Sequence, residues 1–61
     1  MERITDILIK RDGLTLIDAT RLVDEASLQL DSYLLEGRFD LAEDICSEYF
    51  GLEPDYFIQL I

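Results

Sequence analysis

The stretch TLIDATRLVDEASLQLDSYLLEG, Thr15 to Gly37, decides the fold. Thr15 is a good helix N-cap, and Asp18 three residues later gives a weak form of the capping box. Leu14 and Ala19 stand at the positions of a hydrophobic staple, and Gly37 is a stop. At about 100° per residue, Leu16, Ala19, Leu22, Val23, Ala26, Leu30, Tyr33 and Leu34 fall along one stripe, which reads as the core face of a long central helix over 16–36. Ile17, Leu28 and Leu35 lie on the opposite face, interleaved with Arg21, Asp24 and Asp31. Three large aliphatic side chains on the back of a helix in so small a chain need a cover. Either the first or last helix wraps round to supply it, or the three form a homodimer seam or a partner-binding ridge.

Upstream, residues 2–12 predict a short helix. Ile4, Ile7 and Leu8 share a face with Arg11, Lys10 and Arg11 sit in the last turn where cations complement the helix dipole, and Gly13 supplies a left-handed end. Ile9 falls off that stripe and reads either as a second contact or as an exposed apolar residue, the commoner case. Downstream, Arg38 and Phe39 carry the chain round to Asp40, an N-cap with Glu43 at the capping-box position, and a third helix is expected over 41–50. Its inner face is Leu41, Ala42, Ile45, Cys46 and Tyr49. Gly51 ends it, with Leu52 folding back in the manner of a Schellman cap. Pro54 opens a short fourth helix over 54–61, with Phe57, Leu60 and Ile61 inward. The expectation is therefore one all-α domain: a small bundle of three main helices plus a short C-terminal one, packed around the long central helix.

Sixty-one residues leave room for one core, and such a chain buries only about 60% of its unfolded surface. No staple is in view. Cys46 has no partner cysteine, and without histidine a structural zinc site is disfavoured. The single thiol fits a reducing compartment, so a cytoplasmic location is expected. Ile7, Leu8 and Ile9 make too short an apolar run for a signal peptide or a membrane span.

A net charge of −9 comes from fourteen acids and five bases, and every charged residue after Arg38 is acidic: Asp40, Glu43, Asp44, Glu48, Glu53 and Asp55. Direct nucleic-acid binding is disfavoured, because there are too few cations to displace counterions from phosphate. A basic protein surface is the partner this balance favours, with Asp40, Glu43, Asp44, Glu48, Glu53 and Asp55 as the contact patch. The plainer use of the charge is solubility. Asp40, Glu43, Asp44 and Glu48 recur at spacings of three and four, where like charges repel unless something positive meets them. Carboxylates on a rigid helix could stand in for phosphates in a groove that holds nucleic acid. No calcium loop is present, and no metal or cofactor is expected. Nothing suggests an enzyme, since there is no histidine base, no phosphate loop and no Ser or Cys beside a base. Cys46, on an inner face among Ala42, Ile45 and Tyr49, reads as structural. Tyr56 and Phe50 fall off the main stripes, and their exposure beside acids would make an interface hot spot.

Two resemblances add to this reading. Leu35-Glu36-Gly37-Arg38-Phe39-Asp40-Leu41-Ala42, continuing to Leu52-Glu53-Pro54, resembles the second helix of a tetratricopeptide repeat, with Ala42 and Pro54 at the family's small-residue and proline spacings. It departs from that family at Cys46 and Tyr49, and in the preceding helix, which has Gln29-Leu30 where the family has Leu-Gly. A single repeat cannot stack, so the resemblance implies a helix-turn-helix packing pattern and not peptide binding. The whole chain also resembles the short acidic helical proteins of bacteriophages and prophages, anti-CRISPR proteins among them. The resemblance rests on the Asp12-Gly13-Leu14-Thr15 turn, the Ala/Leu/Val-rich central helix and Phe50-Gly51-Leu52-Glu53-Pro54-Asp55-Tyr56. It implies a non-enzymatic factor that inhibits a host complex by binding it, and it carries over no particular residue.

Overall fold

A computed structural model describes the chain from Met1 to Ile61 and shows an all-α fold: α1 (Ile4–Asp12), α2 (Leu16–Leu35), α3 (Phe39–Glu43), α4 (Ile45–Phe50) and a closing 3-10 helix (Pro54–Gln59). Thr15 caps α2 as its position predicts, its hydroxyl accepting the Asp18 N–H at 3.1 Å. At the other end Gly37 adopts φ +72. There the Gly37 N–H donates to the Leu34 carbonyl and the Arg38 N–H to the Tyr33 carbonyl, the paired bonds of a Schellman motif. Gly51 is also left-handed, and the Leu52 N–H folds back onto the Cys46 carbonyl at 3.2 Å.

The buried core is Ile4 and Leu8 of α1, Ala19, Ala26 and Leu30 of α2, Ala42 of α3, Ile45, Cys46 and Phe50 of α4, and Leu60. Two alanines in the middle of the α2 face let its neighbours approach closely, while Leu30 and Phe50 supply bulk. Leu22, Val23 and Tyr33 are half-buried beside them. Leu16 and Leu34 lie on the flank of that stripe near the two ends of α2, and the structure leaves both exposed. Angle alone does not bury a residue where the packed neighbour does not reach it.

Of the two readings of Ile9 the structure takes the contact: α1 is rolled so that its inner face runs through Ile4, Leu8 and Ile9, with Ile7 to one side. Three expectations change. The expected third helix is two short ones that begin at Phe39 and break at Asp44 (φ −91, ψ 1). Arg38, not Asp40, is the residue before the first turn, and no side chain caps either helix. Asp is a weak helix former and the neighbouring carboxylates repel along an unbroken helix, so the break falls where continuation gains least. Phe50 is 2% exposed, and Tyr56 packs against the core, so neither is a free hot spot. Finally, the last element is a 3-10 helix with three residues per turn. That period puts Phe57 and Leu60 in one row and Ile58 and Ile61 in another, which is why Ile61 is exposed and not inward.

The backbone extends 34 × 19 × 16 Å. The long dimension is about the length of α2, since a 20-residue helix spans about 30 Å. The short dimensions hold two layers of helices at the usual spacing of about 8–10 Å, not three. All the other elements therefore lie on one side of α2. No helix is long and apolar enough to cross a membrane.

Candidate protein-binding surface

Asp40, Glu43, Asp44, Glu48, Glu53 and Asp55 are all exposed. The salt bridges lie elsewhere, pairing Lys10 with Glu2, Arg11 with Asp12 and Arg38 with Glu36. Three of the five bases are thus spent in the first 38 residues, and none of the six later carboxylates belongs to a salt bridge.

Three of the six line one groove. Glu43 and Asp44, at the break between α3 and α4, meet Asp55 from the start of the 3-10 helix across an open groove of about 560 Å³. Met1, Pro54, Phe57 and Ile58 supply its apolar wall. Asp55 sits in the first turn of its element, where the helix dipole favours an anion, whereas Glu43 closes α3 at the dipole's negative end. An incoming cation therefore relieves repulsion at Glu43 as well as satisfying its charge. Glu48 lies apart, towards α2. Lost hydration, and then the Glu48 carboxylate, push the Tyr33 phenol above its ordinary pKa. Asp40 and Glu53 are exposed on the same C-terminal half but do not line the groove.

A groove lined by three carboxylates and by apolar carbon matches a Lys or Arg side chain. Such a side chain lays its methylene stem on apolar surface and holds its charged head outward. Arg suits it best, because a planar guanidinium can bridge a carboxylate and stack on the Phe57 ring. No group of three or more Asp, Glu or Cys side chains converges as a metal site requires. Cys46 is fully buried, and burial pushes its thiol pKa up, away from the thiolate that a nucleophile needs.

Ile17, Leu28 and Leu35 are 66%, 68% and 89% exposed, so neither the first nor the last helix covers them. The two-layer arrangement is the reason: α1, α3 and α4 all occupy the Ala19–Ala26–Leu30 side.

Sequence reading misses Gln59. Its carboxamide oxygen accepts the Ile4 N–H at 2.9 Å, and its amide nitrogen donates to the Glu2 carbonyl at 2.8 Å. It caps α1 from the far end of the chain, where Arg3 offers no side-chain cap. It also fixes the N-terminal turn against the 3-10 helix, and hence Met1 beside Phe57 and Ile58. Comparison with known proteins finds no matching family model, no matching curated protein and no matching solved structure.

Proposed function

We propose that this protein is a non-enzymatic binding factor that docks on a basic surface of a host nucleic-acid-handling or defence complex and inhibits it, in the manner of a phage-encoded inhibitor. The observation that carries this reading is the groove of Glu43, Asp44 and Asp55 against Met1, Phe57 and Ile58, which no basic residue of the chain fills. The remaining acids, Asp40, Glu48 and Glu53, extend the negative field around it and steer a cationic partner. A partner loop offering Arg or Lys beside an apolar residue would satisfy both walls. Where that loop normally holds nucleic acid, the carboxylates take the place of phosphates.

The test is capture from a nuclease-treated bacterial lysate at low and high salt, with the Asp44→Lys/Asp55→Lys double variant in parallel. A basic complex retained by the wild type, released by salt and not retained by the variant is the expected result. Retention that is indifferent to both salt and the two substitutions removes this reading. The exposure of Ile17, Leu28 and Leu35 favours a second one: a small self-associating structural or regulatory domain, in which the charge serves solubility.

A further inference from the structure

The uncovered face of α2 carries more than three aliphatic residues. Ile17, Arg21, Asp24, Leu28, Asp31 and Leu35 follow one another at spacings of four, three, four, three and four. That is the repeat of a coiled-coil seam, and all six lie within about 40° of one line along the helix. The order is also symmetric. Positions 17 and 35, 21 and 31, and 24 and 28 share the midpoint 26, at the level of Ala26.

From this we infer that a second copy of the chain covers the face, with the two α2 helices packed antiparallel about a two-fold axis at Ala26; the inference rests on the self-association reading. In that arrangement Ile17 meets Leu35 of the second copy at each end. Arg21 meets Asp31 of the second copy, and symmetry makes that ion pair twice. The two Leu28 side chains flank the two-fold axis, separated by about 6 Å along the helix direction. An isologous interface demands this pairing of i with j and j with i, which a surface shaped for an unrelated partner does not.

Charge selects the orientation. A parallel, in-register pair would stack Arg21 on Arg21, Asp24 on Asp24 and Asp31 on Asp31, three like-charge layers in one short seam. The antiparallel pair turns two of those repulsions into attractions. Arg21 and Asp31 are both exposed, and neither belongs to a salt bridge within the chain. Two opposing contacts remain: Glu25 meets its own copy on one flank of the axis, and each Asp24 lies level with Leu28 of the second copy, which costs it part of its hydration. The net charge of −9 also resists association. However, the six carboxylates after Arg38 belong to elements on the far side of α2, and at physiological salt, fields are screened beyond about 8 Å.

A seam one helix wide and about 27 Å long belongs at the small, transient end of the interface range. Assembly is therefore followed by sedimentation equilibrium from about 1 µM to about 1 mM, the range where such contacts form. The wild type is compared with Arg21→Glu, Asp31→Arg and the double variant, each checked for unchanged helicity by circular dichroism. The expected result is a wild-type mass that rises towards twice the 7.1 kDa chain. Each single charge reversal weakens association at least about tenfold, and the double variant restores it to within about threefold of wild type, since it exchanges the two charges of a pair. Orientation is read separately by oxidation. Ile17→Cys mixed with Leu35→Cys gives a disulfide-linked dimer, and Ile17→Cys alone does not.

A wild type that stays monomeric throughout overturns the seam and the self-association reading together. A dimer in which the double variant is as weak as the singles, or in which Ile17→Cys links to itself, overturns this register and leaves self-association standing.

Discussion

The Gln59 carboxamide takes the Ile4 N–H and gives its own N–H to the Glu2 carbonyl, two bonds across more than fifty residues of chain. Gln59→Ala leaves one of the free donors of α1 without a partner, and by analogy with other lost caps should cost about 1–2 kcal/mol. Denaturant melts and amide exchange at Ile4 measure it; unchanged exchange would show that water caps α1 equally well. Gln59→Glu keeps the acceptor but loses the donor, and should fall between. Nothing in the sequence announces this residue. A periodic pattern displays apolar faces, whereas a single polar side chain reaching the opposite end of the chain has no period. Cys46, by contrast, is legible, since its neighbours Ala42 and Ile45 mark it as inward. Its thiol pKa is raised by burial, so the neutral form is favoured in the folded state. The associated stability is complete below the ordinary thiol value of about 8.5 and is lost as pH rises through the higher folded value. Chemical denaturation on the alkaline side should thus show a decline that begins above about pH 8.5 and is shallower in Cys46→Ala. The Tyr33 phenol, also raised, adds to the loss at still higher pH in both proteins.

Helix ends are easier to foresee than helix middles. Thr15 and the three left-handed glycines act locally, within four to six residues, and local chemistry is what a sequence displays. At Gly37 nothing lies within 4 Å of the place an added methyl group would take, so Gly37→Ala adds no clash and isolates the cost of φ +72. The expected loss is about 1–2 kcal/mol in thermal or urea unfolding. A loss near zero would mean that the Schellman turn can open without disturbing the core. The break at Asp44 is less visible, because Asp40 and Glu43 imitate a capping box that the chain does not use. The 3-10 period of Pro54–Gln59 is likewise hidden, and with it the outward turn of Ile61. The break is a small balance between weak local preferences that the apolar pattern does not display, and the 3-10 period is set where the last element packs on α4. The acidic residues of the candidate surface are plain from composition. Their division, with Glu43, Asp44 and Asp55 on the groove and Glu48 towards Tyr33, depends on that same break.

At the scale of the whole molecule, fourteen carboxylates and three salt bridges leave eleven acids without an ionic partner. Self-repulsion of this size opposes the compact state and is screened by salt. Raising salt from about 10 mM to about 150 mM should therefore stabilise the fold by on the order of 1 kcal/mol, measured by urea unfolding at low protein concentration. Destabilisation by salt would mean that the three ion pairs outweigh the repulsion. That all the partners of α2 lie on one side is not legible, because periodicity says which faces are apolar but not how many neighbours there are to cover them. The Gln59 clamp has one more consequence. With residues 2–4 tied to residue 59, the backbone is close to a ring with a single cut, and the position of that cut is incidental to the packing. Joining the ends through a short linker and reopening the chain at the exposed turn around Gly37 gives the same helices in a new order, each meeting the neighbours it has now.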